Sequence, residues 1–439
     1  MLERLFRLSE NRTTVRQEII AGITTFAAMA YILAVNPAIL SQAGIDHGAL
    51  ITATALASAL MTVLMALATN YPIALAPGMG LNAFVAFGIC LGAKIPWQAA
   101  LGIVFYSGAA FFLLTITGAR QRLIEAIPHS LKIAISCGIG LFIAFIGLKG
   151  GGVIVKNEAT LVGLGNTHSA GVWLVLGGIV LTAVLVQRKV RGAVVIGILV
   201  LTVAGLFLPG ETPGSHLTSR PTGIVSLPPS LTPTFFQLDL GYFWTHWRVC
   251  VPLMVALLFI DLLDNMGSLI GVCARAGFLD KDGHLPKMGR ALTADATAAM
   301  VGATLGTSTV TTYIESAAGV EEGGRTGLTA VSTAVCFLLA LFLSPLISII
   351  PAVATAPALV IVGVFMMQGI RDLDLTDFTI AVPAVVTMLA MPLTFSIAEG
   401  IALGLIVHVG CMAAANRLKE VPPLGYVLAV LLTLHLWFR

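Results

Sequence analysis

Charge is what this sequence has least of. Only 10% of its 439 residues are Asp, Glu, Lys or Arg, whereas soluble domains average about 25%. Hydrophobic residues make up 57% of the chain, and the mean hydropathy is +0.97. This composition excludes an ordinary soluble domain and indicates a polytopic membrane protein.

Cysteines and catalytic motifs are also scarce. The six cysteines lie in or beside apolar stretches without close pairs, which predicts small core residues and not a disulfide framework or a metal site. Neither an HExxH nor a GxSxG pattern occurs, which argues against a membrane-embedded enzyme. The net charge of +3 mostly reflects basic residues beside the membrane, so it implies no nucleic-acid partner.

Long uncharged stretches fill most of the chain. A helix needs about 20 mostly apolar residues to cross a bilayer. On this basis we expect about fourteen segments, with two in each of the longest stretches, 49–93 and 326–370. The others lie in residues 19–40, 95–119, 133–148, 159–187, 192–210, 249–274, 296–314, 379–398 and 400–416. A final apolar piece, 424–438, is short and is expected at the membrane interface.

Basic residues indicate the orientation. With fourteen crossings and a cytoplasmic N-terminus, nineteen Lys and Arg residues fall inside and five outside, as the positive-inside rule requires. The first apolar segment has no small-residue cleavage pattern, so no cleavable signal peptide is expected. We therefore predict a multi-pass protein of the cell membrane with both termini cytoplasmic.

The chain divides into two related halves around a polar, proline-rich linker. The predicted first repeat is 1–208, the extracytoplasmic linker 209–247, the second repeat 248–417 and the interfacial tail 418–439. Residues 127–142 can be laid on 350–365, and the alignment pairs Pro128 with Pro351, Gly140 with Gly363 and Phe142 with Phe365. Halves with an odd number of crossings are inverted relative to each other, as in many secondary transporters.

Two stretches are poor uninterrupted membrane helices. YPIALAPGMGLNAF (71–84) holds two prolines, two glycines and an asparagine, and LGTSTVTTYIESAAG (305–319) is polar and β-prone before a helix near Glu315. Extended backbone at membrane depth is tolerated only where protein or water satisfies its polar groups. We therefore expect short extended pieces in the third and tenth segments, meeting at a central site.

Four ordered stretches carry a family resemblance. FIDLLDNMGSLIGVCARAG (259–277), TADATAAMVGATLGTSTVTTYIESAAGVEEGGRTG (293–327), AGITTFAAMAYILAVNP (21–37) and APGMGLNAF (76–84) resemble the nucleobase-ascorbate transporters, or nucleobase-cation symporters of the second type. The adenine/guanine/hypoxanthine permease branch is the most similar. The resemblance implies an all-α fold of two inverted seven-segment repeats with core and gate domains, often a homodimer, and proton-driven uptake of a purine base.

The resemblance also assigns candidate residues for binding the base. Asp264 is similar to the family's eighth-helix acid, Glu315 to the acid or amide of the tenth segment, and Asn82 to the third-segment asparagine of the purine branch. A purine presents N–H donors that carboxylates accept, and acceptors that Asn82 or backbone N–H groups can serve. The alternative for both acids is capping of a broken helix, and for Asn82 stabilisation of a loop.

Four further side chains have two interpretations each. Asp295 resembles a ninth-helix aspartate that supports the site and coupling, or it belongs to a buried network without substrate contact. Asp261 either shares a proton with Asp264, one turn on, or pairs elsewhere. Phe84 and Tyr313 either stack on the flat base or serve packing alone.

The same acids provide a coupling hypothesis. A carboxylate inside a membrane is costly unless it is paired, protonated or solvated, and burial disfavours its charged form. We therefore expect Asp264, Asp261, Asp295 or Glu315 to carry the coupled proton, with the proton gradient in place of any cofactor. No catalytic residue or metal ligand is expected, and no cluster favours sodium.

Other transport functions remain as alternatives. The preferred base is adenine, guanine or hypoxanthine, with xanthine or uracil as alternatives. An anion transporter of the same architecture is disfavoured because Asp264 and Glu315 would repel an anion. A channel would conduct without saturating at micromolar base.

Overall fold

The computed structural model describes residues 2–117, 128–158, 160–210, 215–221, 223–280, 285–422, 425–426, 429–430 and 432–433. Within these ranges, nine helices are long and apolar enough to cross a membrane, and three further apolar helices are shorter. The chain is therefore a helical polytopic membrane protein. The count of fourteen segments stays a prediction, as does the orientation, for which Arg120, Arg122, Lys281 and Arg439 lie outside the described residues.

The helices of the first half are α1 to α9. Their bounds are Leu2–Phe6 (α1), Val15–Met29 (α2), Ile32–Leu40 (α3), His47–Thr69 (α4), Met79–Ala83 (α5), Trp97–Thr117 (α6), His129–Gly150 (α7), Ala170–Gln187 (α8) and Ala193–Gly205 (α9). Helix α5 continues as a π-helical stretch, Phe84–Gly92.

The helices of the second half are α10 to α18. They are Gly241–Thr245 (α10), Trp247–Ala276 (α11), Met288–Leu305 (α12), Ser316–Glu321 (α13), Gly327–Ala340 (α14), Ser344–Ser348 (α15), Ala352–Met366 (α16), Phe378–Thr394 (α17) and Ile397–Ala414 (α18). Most of the predicted interfacial piece 424–438 lies outside the described residues.

Four short strands accompany the helices. They are Leu75–Pro77 (β1), Ile154–Asn157 (β2), Leu161–Leu164 (β3) and Val310–Thr312 (β4). β1 pairs with β4 in antiparallel fashion, with Leu75 opposite Thr312 and Pro77 opposite Val310. The two stretches expected to be extended are therefore strands, and they meet each other across the two halves of the chain.

The predicted spans 19–40 and 159–187 each contain a candidate membrane helix, within Val15–Ala43 and at Ala170–Gln187, whereas 379–398 contains a shorter apolar helix. Within 159–187, strand β3 precedes the helix, its Leu161 and Leu164 are more than 70% exposed, and the helix begins at Ala170. The crossing 379–398 ends at Thr394 because Phe395 adopts φ 54°, a left-handed conformation that stops the helix. The first span, Val15–Ala43, has a turn at Ala30 and Tyr31 between α2 and α3.

Helix packing follows a matched pattern in the two halves. The contact between α6 and α12 has a counterpart in the contact between α14 and α4. In the same way, the contact between α11 and α6 has a counterpart in the contact between α2 and α14. Likewise α8 packs on α16 as α17 packs on α7, and α9 packs on α16 as α18 packs on α7. These contacts define two groups of helices, a first group of α2 to α6 with α11 to α14, and a second group of α7 to α9 with α16 to α18.

Helices α7 and α16 cross at two glycines. A Cβ on Gly140 would lie 2.5 Å from the carbonyl oxygen of Gly363, and a Cβ on Gly363 would lie 2.4 Å from that of Gly140. Only glycine permits so close an approach of two backbones. The contact is reciprocal, and Pro128 and Pro351 cap the N-termini of the same two helices.

A buried carboxylate joins α2 to α14. Glu18 has no exposed surface, and its Oε2 accepts hydrogen bonds from the hydroxyls of Thr326 and Thr329 at 2.7 Å each and from the backbone N–H groups of the same two residues at 3.2 Å. Its Oε1 accepts one more, from the Arg325 N–H at 2.9 Å. These donors satisfy the charge and cap the first turn of α14.

A second polar contact joins the start of α17 to the end of α18. Asp377 caps α17, and its carboxylate accepts hydrogen bonds from the Thr379 hydroxyl and the Arg417 guanidinium. These two donors, in that order of effect, lower the pKa of Asp377 to about 2. Arg417 also pairs with Glu420 and lowers the pKa of that carboxyl.

Candidate functional site

The crossing of β1 and β4 is the centre of the candidate site. The residues after β1 form α5 and its π-helical continuation, and those after β4 form α13, so both segments change from strand to helix at this point. A further hydrogen bond runs from the Gly78 N–H to the Thr309 carbonyl at 3.0 Å. The paired strands thus satisfy each other's backbone groups inside the protein.

Asn82 and Tyr313 stabilise this crossing. Asn82 is fully buried, its Oδ1 accepts a hydrogen bond from the Ser308 hydroxyl, and its Nδ2 reaches the Pro77 carbonyl at 3.5 Å. The Tyr313 hydroxyl donates to the same Pro77 carbonyl at 2.7 Å. Both predicted binding residues are therefore engaged with the strands in this conformation, and their contact with a substrate stays a prediction.

Asp295 is hydrogen-bonded to strand β4. It lies on α12 with no exposed surface, and its Oδ1 accepts hydrogen bonds from the Thr311 hydroxyl at 3.0 Å and from the Thr312 N–H at 3.2 Å. This geometry is that of the buried network proposed from the sequence. A role in coupling stays a prediction.

Asp264 and Glu315 reach the same place from different elements. Asp264 lies midway along α11 and Glu315 directly precedes α13, and the two carboxylates are close enough for their charges to interact. Both side chains are partly accessible, and the neighbouring Ile314 is 51% exposed. The two acids therefore border accessible space beside the crossed strands.

The other predicted residues lie deeper. Asp261 is 1% exposed although it is only one turn from Asp264, so the two aspartates of α11 occupy different surroundings. The Phe84 ring is fully buried and packs over Gly88, where a Cβ would lie 2.7 Å from the ring. Stacking of Phe84 on a base stays a prediction, and the ring has no accessible surface in this conformation.

Tyr31 is a site residue that sequence reasoning missed. It lies at the break between α2 and α3, and its hydroxyl donates a hydrogen bond to Oε1 of Glu315. Asn36, on α3, donates to the hydroxyls of Thr54 at 2.7 Å and Thr307 at 2.9 Å, and so ties α3 to the loop before β4. The signal in the sequence was a tyrosine, an asparagine and a proline within one apolar span, AYILAVNP.

The cysteines take no part in the site. All six are free thiols, with Cys90, Cys137, Cys250 and Cys273 buried and the other two half-buried. This placement fits their prediction as small core residues.

Two interrupted segments that cross between buried acids, in a multi-pass helical protein, form the architecture of a membrane transporter. The chain belongs to the Permease family, whose profile Xan_ur_permease matches residues 16–403. The family relatives are permeases, so the protein is a transporter and not an enzyme.

Two relatives match nearly end to end. The chain is 45% identical to the guanine/hypoxanthine permease PbuG of Bacillus subtilis over 451 aligned positions, which cover 100% of each chain. It is 43% identical to the adenine permease AdeP of Escherichia coli, covering 100% of this chain and 96% of that one.

A solved structure has the same fold. The transmembrane domain of the cyanobacterial bicarbonate transporter BicA superposes with a TM-score of 0.65, covering 89% of this chain and 97% of that one. The sequence identity is 13%, so the likeness concerns the fold alone.

Proposed function

We propose that this protein is a secondary active transporter that imports purine nucleobases with protons across the cell membrane by alternating access. The observation that carries the proposal is that Asp264 on α11 and Glu315 at the start of α13, two helices packed together, are both partly accessible beside crossed, interrupted segments. Two carboxylates accept the ring N–H and exocyclic amino groups of a purine, and each such charge-assisted hydrogen bond is strong.

The relatives support the substrate class. The names of PbuG and AdeP specify guanine, hypoxanthine and adenine, and both match almost the whole chain. The choice among these three bases is the finer part of the proposal, with xanthine and uracil as alternatives.

The packing supports an inverted repeat. The matched helix contacts and the reciprocal approach of Gly140 and Gly363 are what two seven-segment halves related by a pseudo-two-fold axis would give. In this arrangement the first group of helices is the core domain, which holds the site, and the second group is the gate domain. Cytoplasmic termini and a homodimer complete the proposed organisation.

Accessibility favours two of the four candidate acids as the proton carrier. Asp264 and Glu315 are partly accessible, whereas Asp261 and Asp295 are buried. A coupled proton must reach its carboxylate from water on alternate sides. We therefore place the coupled proton on the pair Asp264 and Glu315.

Uptake of radiolabelled adenine, guanine and hypoxanthine into cells lacking their own purine permeases tests the function. We expect saturable uptake that a protonophore abolishes. Asp264→Asn and Glu315→Gln should each reduce uptake at low substrate by about tenfold or more, since a lost hydrogen bond to a charged group costs about 1.5–3 kcal/mol.

A matched control lies six residues after Glu315. Glu321→Gln changes an acid that is 65% exposed and paired with Arg275, so it should leave uptake unchanged. Failure of the wild-type protein to take up any of the three bases, while it reaches the membrane, would contradict the substrate class. Uptake of bicarbonate in their place would favour the anion alternative.

A further inference from the structure

Tyr31 connects the first membrane segment to the site acid Glu315. Its ring is 3% exposed at the break between α2 and α3, and its hydroxyl donates to Oε1 of a glutamate 284 residues away in the sequence. Asp264 and Tyr313 also lie close enough to interact electrostatically with the phenol. The Tyr31 hydroxyl therefore joins the first membrane segment directly to the Glu315 carboxylate.

The Tyr31 hydroxyl has an uncommon hydrogen-bond partner. A buried tyrosine hydroxyl needs a hydrogen-bond partner, and a backbone carbonyl is the most common one. Tyr31 instead uses the carboxylate that borders the accessible space. A glutamate side chain loses about 1.5–2 kcal/mol of rotamer entropy when it is fixed, so a bond formed before the ligand arrives lowers the cost of ligand binding.

We propose that Tyr31 is a positioning and specificity-determining residue that fixes Glu315 and leaves one carboxylate oxygen, Oε2, for the ligand. The inference rests on the proposed function and extends it. With one lone pair of Oε1 occupied by the phenol, Oε2 is the freer acceptor for a single N–H, such as hypoxanthine presents from its six-membered ring. The adjacent pair of donors on guanine, the ring N–H and the 2-amino group, must instead share Oε1 with the phenol for its second hydrogen bond.

The test replaces the hydroxyl alone. In Tyr31→Phe we expect the half-saturation constant for hypoxanthine uptake to rise about tenfold, the effect of losing one hydrogen bond to a charged group, with the maximal rate within twofold of wild type. Inhibition of hypoxanthine uptake by guanine should weaken less, because the freed Oε1 can accept the second N–H. Tyr106→Phe is the control, since the Tyr106 hydroxyl donates to the Leu240 carbonyl and accepts from Trp244, in a half-buried aromatic cluster.

A second measurement needs no substrate. Dicyclohexylcarbodiimide modifies carboxyl groups in apolar surroundings, and mass spectrometry of the purified full-length protein can follow its addition to Glu315. Because the phenol covers Oε1, Tyr31→Phe should accelerate labelling of Glu315 several-fold. Labelling of the exposed Glu321 on the same stretch should stay constant.

The outcomes separate this inference from the proposed function. An unchanged half-saturation constant and an unchanged Glu315 labelling rate in Tyr31→Phe would overturn the positioning role. An equal loss for guanine and hypoxanthine would overturn the specificity role. If the wild-type protein takes up no purine base, the proposed function fails, and the labelling rate alone then decides whether Tyr31 positions Glu315.

Discussion

Asp295 provides the sharpest prediction at the residue scale, because one of its oxygens holds β4 through two hydrogen bonds. Asp295→Ala leaves both donors without this acceptor inside the protein, at about 1–3 kcal/mol for each unsatisfied group. We expect a marked fall in the thermal midpoint of the purified protein and a loss of purine uptake. Asp295→Asn keeps an acceptor oxygen of the same reach, so it should retain most of both.

The pair of variants distinguishes the two roles of Asp295 that the sequence left open. Thermal melts and uptake are measured on the same preparations. An Asn variant that melts like wild type but no longer accumulates substrate against a gradient would assign the charge of Asp295 to coupling, contrary to our expectation.

Residues with strong local chemistry were predictable from the sequence. Asp264 and Glu315 stand out because carboxylates in apolar runs are rare, and the structure brings them together. Tyr31 does not stand out, since a tyrosine in an apolar span is usually packing, and its bond to Glu315 joins positions 284 residues apart. The hydrogen bond from the Ser308 hydroxyl to Asn82 was not predictable either, because it joins residues 226 positions apart.

At the scale of elements, the breaks within membrane segments were easier to predict than the residues at which helices end. Pro72, Pro77 and Gly78 exclude a continuous helix, and the β-branched run 309–312 favours a strand, so β1 and β4 follow from local preferences. The end of α17 at Phe395 depends on a single left-handed residue without glycine. Strand β3, with Leu161, Val162 and Leu164, is apolar on an exposed surface, so hydropathy alone placed it in a crossing.

The hydrogen bonds that Glu18 accepts between α2 and α14 should make a measurable contribution to the stability of the protein. Glu18→Ala leaves five hydrogen-bond donors of residues 325–329 without their acceptor, so we expect destabilisation of about 3 kcal/mol or more and a poor yield of folded protein. Thermal melting in detergent and the monodisperse fraction on size-exclusion chromatography report this directly.

The control for this variant is another glutamate near the N-terminus. Glu10→Ala removes a side chain that is 69% exposed and only 3.6 Å from Arg7, so its melt should match that of wild type. Equal stability of the Glu18 and Glu10 variants would show that the carboxylate does not cap α14 in solution.

At the scale of the whole molecule, an ion pair between Arg191 and Glu322 joins the two groups of helices. Arg191 precedes α9 of the second group, and Glu322 follows α13 of the first group, where its backbone carbonyl also accepts a hydrogen bond from Gln17 on α2. Alternating access requires the two groups to move relative to each other. Under the proposed mechanism, we therefore expect this contact to change during transport.

Cross-linking tests that motion. The double variant Arg191→Cys, Glu322→Cys, treated with a short bifunctional thiol reagent, should lose uptake and regain it on reduction. A reagent is needed because an arginine and a glutamate that meet at their tips set their Cβ atoms too far apart for a disulfide. The single variants and the wild type, with its six native cysteines, serve as controls. Full uptake by completely cross-linked protein would mean that this edge of the two groups stays fixed.

The proposed two-fold relation of the halves has only a faint signal in the sequence. Three matched pairs between 127–142 and 350–365 suggested it, and the two members of one pair, Gly140 and Gly363, lie against each other in the structure. The remaining support for this relation comes from the matched contacts between helices of the two halves. Because many sequences satisfy the same packing, the relation between the halves is visible in the helix contacts but hardly detectable in the amino-acid sequence.

The pairing of β1 with β4 also sets an order of events during synthesis. Pro77 lies opposite Val310, so β1 leaves the ribosome long before its partner exists. At about 5–20 residues per second, the interval is on the order of ten to fifty seconds. Through that time the backbone of β1 must be sheltered by the insertion machinery or by other contacts, because lipid offers no hydrogen bonds. The candidate site therefore cannot form before residue 310 has been synthesised, and a chain released before that point would present an unpaired strand to cellular quality control.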